Sequence, residues 1–223
     1  MKKMEARQEK HVDHLIERYP ALEVCRESII ESCLVMEEAY EGDHKLLIAG
    51  NGGSAADSEH IAGELMKRFK LPRPVTPEMA ERLKAADPVR GAELAGKLER
   101  ALTAIPLVAH EALSTAYTND VDGLGVFAQQ VFGFGRAGDV FLGISTSGNS
   151  KNVMSAAVVA RALGMKVIGL TGAKGGELAA FADVAVKVPE TETYKIQELH
   201  LPVYHCWCLI LEDRFFGEDR AEQ

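Results

Sequence analysis

The apolar positions of the N-terminal segment recur at helical spacing. One set runs from Leu15 to Leu22 and a second from Ile29 to Met36. This periodicity predicts helices. Pro20 lies inside the first set, and because proline lacks a backbone N–H we expect it to separate two helices.

Short apolar runs follow, and each ends in glycine or polar residues. They are residues 45–49, 105–109, 139–144, 166–170 and 184–188. Helical patterns lie between them. The first begins at Ser54, which is expected near its N-cap, another covers residues 124–134, and a last helix is predicted over residues 194–215. This alternation predicts an α/β fold with a doubly wound, mainly parallel five-stranded sheet and helices on both faces.

One segment departs from this alternation. Prolines cluster between residues 72 and 77, and Glu78–Ala86 and Gly91–Thr103 are rich in the residue types of exposed helices. We interpret residues 75–103 as a helical insertion in a single domain that spans residues 1–223.

The overall charge argues against one class of partner. The formal net charge is −8, whereas nucleic-acid-binding proteins usually present a basic face. An acidic protein can still bind an anion through local backbone donors and helix ends.

Cysteine usage and hydropathy bear on the cellular location. None of the four cysteines (Cys25, Cys33, Cys206 and Cys208) belongs to a CxxC pair, which favours reduced core thiols over disulfides or metal ligation. The N-terminus is charged without an apolar segment behind it, so no signal peptide is expected. No apolar run approaches the ~20 residues that span a bilayer. We expect a cytoplasmic protein.

Two predicted strand-to-helix turns carry residues suited to an anion. Gly50–Ser54 is rich in glycine, and Ser145–Ser150 contains four hydroxyl side chains. Glycines let the backbone approach a ligand, and the N–H groups of a helix start face it. Tight-turn geometry is the alternative for the first turn, and simple N-capping for the second. One cap uses one hydroxyl, so we favour phosphate binding near the carboxyl ends of the strands.

Two further groups of residues are candidates for chemistry. His60 and Glu64 share one face of a predicted helix, although an exposed polar pair is the alternative. Gln197, His200 and His205 lie in the last helix, where histidines are more often satisfied core residues than ligands.

Together these motifs resemble the sugar isomerase (SIS) domain, and within it the phosphoheptose isomerases that act on sedoheptulose 7-phosphate. The resemblance excludes roughly residues 75–103, a segment absent from the commonest members of the family. The pieces that carry it are Gly50–Ser54, His60 with Glu64, Asn119–Asp120, Gly143–Ser150, Leu170–Gly172 with Gly175–Gly176, and Ile196–Glu198 followed by His205.

The resemblance implies an aldose–ketose isomerase. It would interconvert sedoheptulose 7-phosphate and D-glycero-D-manno-heptose 7-phosphate through an enediol, the first step towards ADP- or GDP-heptose for cell-envelope polysaccharide such as lipopolysaccharide. Glu64 would be the base and His205 the acid. The implied substrate-binding residues are Asn51, Gly52, Gly53, Asn119, Asp120, Ser145, Thr146, Ser147, Ser150 and Gln197.

The resemblance also implies a zinc ion and a homotetramer. The implied metal ligands are His60, Glu64, Gln197 and His205, with active sites between subunits, no nucleotide cofactor, and no nucleic-acid or membrane partner. Gln197 and His205 lie ~12 Å apart along a straight helix. One ion reaches both only if their side chains converge, the helix bends at Pro202, or they come from different chains. We hypothesise that the complete site needs two subunits.

Two other functions remain open at this stage. Some SIS relatives are non-catalytic phosphosugar-binding proteins or adaptors of the replication initiator, and the adaptor lacks the glutamate and the late histidine. Glu64 and His205 are both present here, which favours the enzyme. The other alternative is an isomerase or aldolase-like lyase that acts on a different phosphosugar.

Overall fold

The structure is a computed structural model that describes residues 3–217. The predictions of a charged N-terminal segment and of a domain over residues 1–223 include residues 1–2 and 218–223, which lie outside the described residues. Within residues 3–217 no helix combines the length and the apolar character needed to cross a membrane.

Helices and strands alternate over most of the chain. Two 3-10 helices, Pro20–Cys25 and Gly123–Gly125, join longer elements. The helices are α1 (Ala6–Arg18), α2 (Arg26–Glu41), α3 (Gly53–Met66), α4 (Pro77–Ala86), α5 (Pro88–Ala95), α6 (Glu111–Asp120), α7 (Val126–Phe134), α8 (Lys151–Ala162), α9 (Gly176–Phe181) and α10 (Thr193–Phe216). The strands are β1 (Leu46–Ala49), β2 (Ala104–Pro106), β3 (Val140–Ser145), β4 (Lys166–Gly172) and β5 (Val184–Val188).

The five strands form one parallel sheet in the order β2-β1-β3-β4-β5. The chain leaves β1 towards one edge of the sheet and, after β2, crosses to the other side. This reversal creates a topological switch point between β1 and β3, beside which ligands bind in folds of this kind. The predicted five-stranded parallel sheet is confirmed.

Hydrophobic side chains alternate between the two faces of the sheet, so each face has its own core. Leu46 and Ile48 pack with α1, α2, α3 and α10, whereas Leu47 and Ala49 pack with α7, α8 and α9. Strands buried on both faces have continuous apolar sequences. The four cysteines are free and buried, which confirms the prediction of core thiols.

Several predicted boundaries were wrong for local reasons. The strand expected over 105–109 is the three-residue β2, because the chain turns at Leu107, whose N–H still donates to the Ile48 carbonyl at 2.8 Å. Gly52, with a φ of 57°, is the N-cap of α3, and Ser54 lies buried in its first turn. Asn119 and Asp120, whose polar side chains predict a turn, are instead the last residues of α6.

The segment 75–103 contains a pair of packed helices. α4 and α5 meet where Gly91 lies against the Leu83 carbonyl. The second helix ends at Ala95, earlier than predicted, because Gly96 forms its C-cap. The chain then returns in extended form, and the Arg100 N–H donates to the Arg73 carbonyl at 2.7 Å. That this segment is an insertion stays a prediction.

Candidate active site

The two anion-binding candidates meet at the switch point. We call Gly50–Gly53, after β1, loop 1, and Thr146–Ser150, after β3, loop 2. The amide side chains of Asn51 and Asn152 donate to each other, each at 2.9 Å, which joins loop 1 to the start of α8. Loop 1 is therefore in contact with the helix that follows loop 2.

The hydroxyls of loop 2 and of Ser145 shape the loop rather than cap the helix. Ser145 Oγ lies 2.9 Å from Ser150 Oγ and accepts the Gly148 N–H at 3.1 Å. Ser147 Oγ accepts the Asn149 N–H at 3.1 Å. Ser150 is the N-cap of α8 but makes no side-chain cap bond. Helix capping therefore does not account for these hydroxyls.

A polar cavity opens beside loop 2. It contains about 230 Å³. Its polar side chains come from loop 2, from the turn after β4, and from the segment that leads into α10 together with the first residue of that helix: Thr146, Ser147, Asn149, Lys174, Glu190, Thr191 and Thr193. Lys174 brings a cation to hydroxyls that suit a phosphate. The sequence reasoning missed Lys174, although its place after a strand C-terminus could have indicated it.

The predicted base and acid lie together between α3 and α10. His60 Nε2 is 3.3 Å from Glu64 Oε1 and 3.4 Å from His205 Nε2. The Glu64 side chain is 15% exposed and also pairs with Lys67 Nζ at 3.1 Å. Glu64 and His205 therefore both contact the same ring nitrogen, Nε2 of His60.

Two residues that the sequence reasoning missed orient His60. The Tyr204 hydroxyl donates to Asp57 Oδ1 at 3.1 Å, and its oxygen lies 3.0 Å from His60 Nδ1. A hydroxyl that donates to Asp57 is left to accept from His60 Nδ1–H. In the neutral imidazole, Nε2 then carries the lone pair that faces Glu64 and His205.

Burial affects the protonation of this cluster. Desolvation lowers the pKa of His205, as do the charges of His60 and Arg18, while Glu64 acts in the opposite direction. Desolvation raises the pKa of Asp57, although the hydrogen bond from Tyr204 partly offsets it. The imidazole of His205 therefore stays neutral to lower pH than an exposed histidine.

Gln197 lies at the other end of α3. A Cβ on Gly53 would lie 2.5 Å from Gln197 Nε2, so this amide packs on loop 1. His60 follows Gly53 by seven residues, ~10 Å along the helix, and α10 is continuous through Pro202. Within this chain Gln197 is therefore separated from His60 and His205.

The remaining candidates lie apart from this cluster. Asn119 and Asp120 are exposed and hydrogen-bonded to each other at 2.8 Å. His200 is fully buried in the core, but neither of its ring nitrogens has a hydrogen-bond partner among residues 3–217, so it is a core histidine without being the satisfied one given above as the alternative.

The cluster meets part of what a metal ion requires. No group of three His, Cys, Asp or Glu side chains in residues 3–217 is arranged to hold one. The chemistry of the donors is nevertheless suitable. The Nε2 lone pair of His60 points towards Glu64 and His205, while its Nδ1–H donates a hydrogen bond to the Tyr204 hydroxyl. Histidines that bind metals are oriented in this way.

Known proteins share both the sequence and the fold. A family model described as the SIS domain matches residues 91–172. The phosphoheptose isomerase of Sulfurimonas denitrificans is 39% identical over 192 residues, which cover 86% of this chain and 84% of the relative. A phosphoheptose isomerase structure from Neisseria gonorrhoeae has a TM-score of 0.69 and 33% identity, covering 93% of this chain and 97% of the other.

A phosphoheptose isomerase structure from Francisella tularensis agrees, with a TM-score of 0.72 and 29% identity over 92% of this chain and 96% of the other. The similarity thus extends over most of this chain and most of each relative. The chain belongs to the phosphoheptose isomerase family, and its fold is that of the SIS domain.

Proposed function

We propose that this chain interconverts sedoheptulose 7-phosphate and D-glycero-D-manno-heptose 7-phosphate. One observation carries the proposal: Glu64 Oε1 and His205 Nε2 both lie within 3.4 Å of His60 Nε2. This point is ~10 Å along α3 from loop 1, a distance that a seven-carbon sugar spans from its phosphate. The names of the relatives support the same reaction.

The proposed reaction transfers protons between neighbouring carbons and oxygens. Glu64 removes a proton from C1 of the ketose, and His205 supplies a proton to the C2 oxygen, which gives the 1,2-enediol. Return of a proton to C2, with loss of the proton on the C1 oxygen, gives the aldose. This chemistry needs one base near carbon and one acid near oxygen. The two loops and Lys174 bind the phosphate and hold the sugar in place.

The proposal includes a zinc ion. His60, Glu64 and His205 supply nitrogen and carboxylate donors, and Gln197 an amide oxygen, which together are a mixed set that zinc accepts. Zinc would polarise the substrate carbonyl and stabilise the enediolate. Because Glu64 and His205 cannot bind zinc and move a proton at the same moment, the ion would either shift during turnover or be a regulatory or adventitious occupant. Because Gln197 packs on Gly53 in its own chain, we propose that a complete ligand set uses Gln197 of another subunit.

A homotetramer with sites between subunits is the proposed assembly, in the cytoplasm and at the start of heptose synthesis for the cell envelope. The groove beside His205 supports an interface. It is lined by α1 and α10, including His11, Arg18 and Leu201. A purified monomer with full activity would contradict the shared site.

One assay tests the reaction. The protein is incubated with sedoheptulose 7-phosphate and zinc while the aldose product is measured, with Glu64→Gln and His205→Ala as controls. We expect turnover by the wild type and losses of about 100-fold or more in both variants. Full activity of Glu64→Gln would exclude it as the base. Thermal stabilisation by the sugar phosphate without turnover would instead indicate a binding protein.

A further inference from the structure

A buried ion pair lies behind the C-terminal end of the helix that carries Glu64. Arg73 and Glu212 are each 1% exposed. Arg73 Nη2 lies 2.9 Å from Glu212 Oε1, and Nε donates to the same oxygen at 3.0 Å. Burial of two charges is unfavourable unless their remaining hydrogen-bonding positions are filled. The further hydrogen bonds of Arg73 and Glu212 therefore indicate the role of this ion pair.

Arg73 uses its remaining donors on the last turn of α3. Nη1 donates to the Leu65 carbonyl at 2.7 Å, and Nη2 lies 3.2 Å from the carbonyl of Glu64 itself. The final carbonyls of a helix lack intrahelical partners, and a cation at this end is favourable. Arg73 therefore holds the backbone from which the proposed base extends.

Glu212 ties the same region to the other catalytic helix. Its carboxylate accepts the N–H groups of Phe69 and Lys70 at 2.8 Å and of Leu71 at 3.0 Å. These residues form the segment that leaves α3. On α10, Glu212 follows His205 by seven residues, two turns further along the same face. The pair thus connects the end of α3 to the helix that carries the proposed acid.

We infer that Arg73, held by Glu212, is a positioning residue that sets the Glu64 carboxylate against His60 and His205. The inference rests on the proposed role of Glu64 as the base. Three guanidinium nitrogens reach acceptors in different directions, which a planar fork allows and a lysine ammonium does not. An error of about 1 Å in the position of a reacting group costs about 100-fold in rate.

Steady-state kinetics of Arg73→Lys and Glu212→Gln test this role. We expect kcat to fall about 10- to 100-fold, with KM changed by less than about two-fold because the phosphate loops lie at the other end of the site. With substrate deuterated at C1, the isotope effect on kcat should rise as proton removal becomes more limiting. Wild-type kcat and isotope effect in a folded Arg73→Lys protein would overturn the inference.

A matched control separates positioning from stability. Lys45 Nζ lies 2.6 Å from the buried Asp139 carboxylate near the opposite ends of the strands. Lys45→Met also breaks an ion pair with a buried carboxylate, so it should lower Tm while leaving kcat unchanged. An equal loss of kcat in Lys45→Met and Arg73→Lys at the same folded fraction would assign the effect to stability and overturn the inference.

Crystal structures of Arg73→Lys and Glu212→Gln give a readout that does not depend on turnover. We expect Glu64 Oε1 to move away from His60 Nε2, which lies 3.3 Å from it in the wild type. An unchanged contact in both variants would overturn the inference. An inactive wild type would refute the proposed function alone, since the displacement of Glu64 is measured separately.

Discussion

Gly148→Ala is a sharp test of loop 2, because the structure leaves no room for a side chain there. Gly148 has a φ of 69°, and an added Cβ would overlap the Gly175 carbonyl and lie 2.9 Å from the Gly176 nitrogen. All of these neighbours are backbone atoms, so no rotamer change relieves the overlap. The left-handed backbone costs an alanine about 1–2 kcal/mol, and overpacking adds about 1–3 kcal/mol.

We therefore expect Gly148→Ala to lower the free energy of unfolding by about 2–5 kcal/mol. Relief of the overlap separates loop 2 from the turn after β4, and these two segments line the cavity that contains Ser147 and Lys174. Affinity for a sugar phosphate should fall together with stability. Denaturant unfolding measures the first effect, and KM or calorimetric titration of the sugar phosphate measures the second.

Gly133→Ala is the matched control. Gly133 lies in the exposed last turn of α7, and an added Cβ there meets no heavy atom within 4 Å. We expect this variant to unfold at or above the wild-type midpoint and to retain its affinity. If Gly148→Ala matched the wild type in both measurements, the close approach of the two turns would be wrong, and with it the shape of the proposed phosphate site.

Three further changes test other parts of the structure. Burial lowers the pKa of His200 to about 4 from an ordinary value near 6.5. Because the unfolded chain therefore binds the proton first as the pH falls, the free energy of unfolding should decrease by about 3 kcal/mol from pH 6.5 to pH 4. Denaturant unfolding of His200→Met should lack this pH dependence, and its persistence in that variant would refute the buried neutral imidazole. Asn152→Ala breaks the amide pair with Asn51 and should raise the KM for the sugar phosphate about five-fold with little change in kcat; an unchanged KM would show that the pair does not hold loop 1. Removal of metal by a chelator should abolish turnover and zinc should restore it, whereas full activity of protein shown to be metal-free by elemental analysis would refute the zinc proposal.

Local patterns predicted the framework of the site. Apolar runs gave the strands, and the carboxyl ends of parallel strands share one edge, so Gly50–Ser54 and Ser145–Ser150 had to lie near each other. The i, i+4 spacing placed His60 and Glu64 on one face, and their side chains are 3.3 Å apart. Each of these inferences needed only a short window of sequence.

Contacts between distant elements escaped prediction. Tyr204 and Asp57 are 147 residues apart and Arg73 and Glu212 are 139 apart, and nothing in the local sequence of either member indicates the other. At Asn119 and Asp120, by contrast, the local sequence was misleading. Their polar character is typical of turns, but the preceding residues of α6 continue the helix through them, so the turn begins only at Val121.

The proposal places the two halves of the reaction on different kinds of element. Phosphate binding uses loops at strand ends, where small residues such as Gly148 allow backbones to approach each other and a ligand. Proton transfer uses α3 and α10, which run side by side: Gly53 meets Gln197 at one end and His60 meets His205 two turns later. A shift of one helix along the other would separate base from acid without changing the loops. The buried Arg73–Glu212 pair opposes such a shift because it bonds both to the carbonyls that end α3 and, through Glu212, to α10. We therefore expect the precision of proton transfer to depend on an ion pair that lies outside the substrate site, and the affinity for the phosphate to depend on residues that do not move protons.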